Sequence, residues 1–189
     1  MLNRYYLFLI TSLLFFSCSK QSEISKEFGC KTSKFKNLEI VEDFRRKFEI
    51  ELPKSWKTNL YYDKLQSSIY TADTTKQLTE TILLDISYIN DKINFDDEFS
   101  LKQEQEHLAK GLIKTKSKQI TLLKKPSMHF VYKGKKGNFK YQISNIFIKI
   151  DPQNFILAKT EIYGDSLVNE KLCNSFSLIE NIKIHQKND

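Results

Sequence analysis

Glu104 and His107 stand three residues apart in Glu104-Gln105-Glu106-His107, a spacing that on a helix turns both side chains to one side and could seat a metal ion. A carboxylate-bridged di-metal centre needs a second such pair and further glutamates from facing helices, and the sequence offers neither. His129 and His185 are isolated, without an HExxH or paired-cysteine pattern, so no metal is expected. Nucleophilic acyl transfer lacks its Gly-x-Ser-x-Gly elbow. Asp85 is the one acid inside an otherwise apolar run, a setting suited to acid–base work or to a plain hydrogen-bonded edge. Lys133-Gly134-Lys135-Lys136-Gly137 surrounds two glycines with three lysines, so its backbone can approach an anion, but the spacing and final Ser or Thr of a Walker loop are missing. Lys133, Lys135 and Lys136 are therefore expected as contacts for an anion or a partner, the plainer alternative being a solvated hairpin tip.

The first twenty residues carry an address. Arg4 supplies a positive start, Leu7 to Phe16 form an apolar run too short to span a bilayer, and Ser17 is the small residue that a signal peptidase needs. The following Cys18 makes this stretch resemble the lipobox of bacterial lipoproteins, with Phe15 standing where that box usually has Leu. The resemblance implies that residues 1–17 are removed and that Cys18 is acylated with palmitate-type chains, anchoring the protein to the membrane. Two or three chains hold far more firmly than one, at about 0.8 kcal/mol per buried methylene. An ordinary secretory signal is the alternative. Ser19 gives no acidic retention signal, so the sorting rules of lipoproteins imply a bacterial cell-envelope location at the outer membrane.

Two cysteines are left after Cys18, and Cys30 with Cys173 is an even pair in an oxidising compartment, expected as a disulfide. A loop that long contributes about 4 to 5 kcal/mol in the chain-entropy model. Two free thiols are the alternative. The net charge is +7; residues 1–17 hold one cation, Arg4, and no acid, which leaves +6 on the mature chain. The lysines are dispersed among acids with no recognition motif, so nucleic acid is not an expected partner.

The elements that must position these residues follow from periodicity. Ser19 to Lys36 is rich in Ser, Lys and Glu and reads as a flexible tether, giving a tether over residues 18–37 and a single domain over 38–189. Leu38 to Phe44 fits strand or helix equally. Phe48, Ile50 and Leu52 alternate with glutamates as a half-buried strand ended by Pro53, with Trp56 plugging the core beyond it. Further strands are expected around Ser68 to Tyr70 and over Thr81 to Ile89, Gln119 to Leu123, Met128 to Tyr132, Phe139 to Ile150 and Phe155 to Tyr163, the last four joined by short turns and hence antiparallel. Ser100 to Gln103 suggests a capping box opening a helix with Leu101, Leu108 and Leu112 along one side, crossing over the sheet. Val168, Leu172, Phe176 and Ile179 repeat at helical spacing and give a closing amphipathic helix.

With Phe48-Glu49-Ile50-Glu51-Leu52-Pro53-Lys54-Ser55-Trp56, Ser68-Ile69-Tyr70-Thr71-Ala72-Asp73 and Asn174-Ser175-Phe176, the stretch from Leu38 to Ile184 resembles the PsbP-like superfamily. The resemblance implies an α+β fold, an antiparallel sheet of about six strands sandwiched by helices, and a noncatalytic binding or assembly role without cofactors. The expected protein is thus a lipid-anchored envelope module that binds an envelope protein. An enzyme assembled in space around His107 or Asp85 and an immunity-type lipoprotein that neutralises a toxin are the alternatives.

Overall fold

The computed structural model describes residues 21–31 and 35–185; the expected export signal and Cys18 lie outside the described residues. Among the described residues ten strands and three helices follow in the order α1 (Glu23–Glu27), β1 (Leu38–Glu42), β2 (Phe48–Pro53), β3 (Lys57–Tyr62), β4 (Gln66–Ala72), β5 (Leu83–Ile89), α2 (Asp97–Leu108), β6 (Leu112–Leu122), β7 (Lys125–Lys136), β8 (Phe139–Asp151), β9 (Asn154–Tyr163), α3 (Val168–Ile179) and β10 (Lys183–Ile184). Seven strands form one antiparallel sheet in the order β3-β4-β5-β9-β8-β7-β6, and β1-β2-β10 form a small second sheet. The fold class is α+β with the main sheet between helices, one strand wider than the six read from sequence. The added strand, β3, carries Leu60, Tyr61 and Tyr62 exposed, so it lacks the alternation that marks a half-buried strand.

Because β5 lies centrally and β6 at the far edge, the connection between them must cross β9, β8 and β7, and α2 is that crossover. Beneath it a cluster of Met128, Phe130, Tyr132, Tyr141, Ile143 and Phe147 closes one face of the sheet. On the other face Leu84, Ile86, Ile146, Ile148, Ile156 and Ile162 pack with β2, α1 and α3. The alternation of β8 sends odd-numbered side chains to the first face and even-numbered ones to the second, and both are buried. Asp43 shapes the entry to β2, since its buried carboxylate accepts from the backbone N–H of Phe48 at 2.8 Å and of Arg45 at 2.9 Å.

Part of the stretch expected as a free tether is folded. Ser22 caps α1 by accepting from Ser25 N–H at 3.1 Å, Ile24 is 1% exposed within the core, and Cys30 is bonded to Cys173 on α3 across 143 residues. One isoleucine in a polar setting carries too little periodicity to announce such a docked turn. Helix α2 also differs from the expected helix: Asp96 is its cap, accepting from Phe99 N–H at 2.8 Å, and Ser100 lies inside. Its expected apolar side is turned to solvent, with Leu101 and Leu108 at 55% and 60% exposure, whereas Gln103 and His107 point inward. The sheet beneath α2 supplies Asn145 and Tyr132 as polar and aromatic neighbours, so inward polar residues are satisfied there.

Candidate functional site

A cleft of about 520 Å³ opens beside α2, floored by β8 and β9 and rimmed by Lys110, Lys135 and Lys136. Register explains how its charged floor is assembled. Tyr70 of β4 stands opposite Asp85 of β5, Asp85 opposite Lys159 of β9, and Lys159 opposite Asn145 of β8, so one row of side chains crosses four strands. Lys159 Nζ lies 2.8 Å from Asp85 Oδ2 and 3.5 Å from Glu161, and Lys136 Nζ lies 3.2 Å from Glu161. Lys136 also sits 5.0 Å and 5.3 Å from the ring centres of Tyr141 and Tyr163, which meet edge-on. Acid and base therefore alternate along a ladder with an aromatic border.

The charges in that ladder hold one another. Burial works against the Glu161 carboxylate, but the Tyr141 hydroxyl and the ammonium groups of Lys159 and Lys136 outweigh it, and its pKa is held below the usual range. Burial likewise opposes the Lys159 cation, yet Asp85 and Glu161 keep its pKa above the ordinary lysine value. Asp85 takes a further hydrogen bond, at 3.2 Å, from Ser87. The residue read as a possible acid or base is the anionic partner of a lysine.

His107 occupies the head of the cleft, stacked on Tyr132 at 3.8 Å with the rings 5° from parallel. Its Nδ1 lies 2.7 Å from the Gln103 carbonyl, which only accepts, so Nδ1 carries the proton. Nε2 then accepts from the Asn145 amide at 3.1 Å, which leaves the buried Asn145 Oδ1 without a partner. Burial lowers the His107 pKa, favouring this neutral tautomer. Glu104, three residues earlier, turns away to pair with Lys114, so the two residues of the sequence motif do not converge. Among the described residues no group of three or more His, Cys, Asp or Glu could hold a metal ion.

The three hairpin lysines divide. Lys135 and Lys136 line the cleft, whereas Lys133 lines a groove on the opposite face with Phe28, Val131 and Leu172. They form no single cradle for an anion. Lys159, Glu161, Tyr141 and Asn145 were not singled out from sequence. Their signal is the interruption of apolar β9 and β8 by polar residues at positions that face the core, which needs the register to be read.

The sequence matches no protein-family profile and no curated protein. Its fold does recur among solved structures. The Saccharomyces cerevisiae Ran-binding protein Mog1p superimposes with a TM-score of 0.52 at 10% identity, over 78% of this chain and 95% of that one. A Bacteroides thetaiotaomicron protein gives 0.50 at 8% identity over 81% of this chain, which spans 50% of that protein's length. LpqN of Mycobacterium tuberculosis, described as involved in cell envelope biogenesis, overlaps more loosely, with a TM-score of 0.46 at 12% identity over 79% and 91% of the two chains. The likeness to Mog1p gives the class of fold, which is Mog1/PsbP-like.

Proposed function

We propose that this chain is a noncatalytic binding module of the bacterial cell envelope, anchored through lipid on Cys18, and that the cleft beside α2 is the surface offered to an envelope protein. The observation that carries this reading is the Lys136–Glu161–Lys159–Asp85 ladder, whose ionised groups are already paired and whose neighbouring histidine is neutral. Such a floor presents fixed, alternating charge and tyrosine edges, features that give register and specificity to an interface. The Mog1/PsbP-like scaffold is also carried by a protein described as Ran-binding.

Site-specific photocrosslinking in intact cells tests the binding role. A crosslinker at Lys135 on the cleft rim is expected to yield one protein adduct of defined mass, and a crosslinker at Thr58 on the opposite edge strand is not. Charge reversal at Glu161 should abolish the Lys135 adduct; an adduct that survives reversal, or its absence from the start, overturns the assignment of the cleft. Labelling with a palmitate analogue in wild type and Cys18→Ala tests the anchor separately.

A further inference from the structure

Helix α1 decides how far the body stands from its anchor. Ser22 donates to Glu180 at 2.5 Å, Ile24 is in the core and Cys30 is bonded to α3, so the chain is already docked on the body at Ser22. Three residues, Ser19 to Gln21, separate Cys18 from Ser22, so the four Cα steps span at most about 14 Å even when fully extended. A lipid on Cys18 would therefore hold the domain at the headgroups instead of lifting it clear of them.

The surface around this point is cationic. Glu27 at the end of α1 receives both Lys116 at 2.6 Å and Lys118 at 3.0 Å from β6, one acid for two lysines. Glu23 at its start shares a shallow groove with Lys124 and Lys125 of the β6–β7 turn. Lysines on an edge strand commonly guard it against pairing with another chain. The opposite edge, β3, is not guarded in this way, since Leu60, Tyr61 and Tyr62 stand exposed there beside a single terminal lysine, Lys57. Of the two edge strands, the one that carries the lysines thus lies next to the anchor, within about one or two Debye lengths of the surface to which it would lead.

We propose that the corner formed by α1, β6 and the β6–β7 turn is a docking surface for anionic phospholipid headgroups, which fixes the orientation of the domain on its membrane. The proposal rests on the lipid-anchor reading above. It also places the cleft: the eleven residues of β7 from Pro126 to Lys136 extend about 33 Å, so the rim at Lys135 and Lys136 lies at the end of the strands remote from the bilayer and open to a partner.

Full-length lipoprotein purified from cells and reconstituted in vesicles provides the test. A fluorophore introduced as a noncanonical amino acid at Thr121 or at Asn138 reports energy transfer to a headgroup-labelled acceptor. On vesicles of phosphatidylcholine with phosphatidylglycerol, transfer from position 121 is expected to be several-fold stronger than from position 138. The contrast should shrink in high salt, on pure phosphatidylcholine, and in the variant Lys118→Gln, Lys124→Gln, which remains vesicle-bound. Equal transfer from both positions in acylated, vesicle-bound protein would overturn the orientation and leave the anchor intact. A chain without acyl mass that stays off vesicles would overturn the anchor and the orientation together.

Discussion

His129 gives the fold a sensitivity to acid that can be isolated. The side chain is fully buried on β7, its Nε2 2.9 Å from Ser144 Oγ, its Nδ1 without a partner, and its ring packed against Phe28 and Phe176 at 5.7 Å and 5.8 Å. Burial lowers its pKa from 6.5 to about 4, and the nearby Lys116 adds to this while Glu27 opposes it. A histidine whose folded pKa lies below the unfolded one takes up its proton in the unfolded chain first. Its contribution to stability is therefore complete above the unfolded pKa and is lost as the pH falls towards the folded one. Between about pH 7 and about pH 5 this single group should cost about 2 kcal/mol. Urea unfolding followed by Trp56 fluorescence at both pH values measures the loss in wild type and in the double variant His129→Leu, Ser144→Ala, which removes the imidazole and its hydroxyl partner together. His107 titrates in both proteins and cancels. The double variant should lose about 2 kcal/mol less than wild type on acidification, whatever its stability at neutral pH. Equal losses would refute the assignment of a buried neutral imidazole.

Two further perturbations probe the joints that hold the layers together. Replacing Cys30 and Cys173 by serine opens a closure of 143 residues, for which the chain-entropy model gives about 5 kcal/mol; unfolding midpoints in urea should drop accordingly, and coincident curves for reduced and oxidised protein would show that the bridge adds nothing. Gly134→Ala would place a methyl 2.5 Å from the Gly111 carbonyl oxygen and 2.8 Å from Leu112 Cδ2, where α2 hands over to β6. Thermal unfolding should show a loss of about 1–3 kcal/mol, and an unchanged melting temperature would mean that this junction yields freely.

Elements whose side chains alternate or repeat against a core were legible in sequence: Phe48-Ile50-Leu52 became β2, Thr81 to Ile89 contained β5, and the Val168-Leu172-Phe176-Ile179 stripe became α3. Elements without such a pattern were not. The outer part of β6 alternates lysine with threonine and serine, because an edge strand needs little apolar surface, and its turn to β7 places Leu123 and Lys124 at positive φ without a glycine to mark it. Helix α2 was found as a helix but rotated: Phe99 packs on Phe147 and His107 stacks on Tyr132, while Leu101 and Leu108 face solvent. The cleft was the least legible part. Asp85 and Lys135 attracted notice from sequence, yet the meaning of Asp85 came from Lys159, a residue 74 positions later brought opposite it by register.

The bond between Cys30 and Cys173 also changes what a protease could accomplish. A backbone cut between Lys31 and Asn37 would leave two fragments still joined through sulfur, so the severed leader and everything attached to it would stay with the body. Shedding would require scission upstream of Cys30, or scission downstream combined with a reductant, which makes release from the leader a two-key event over that stretch.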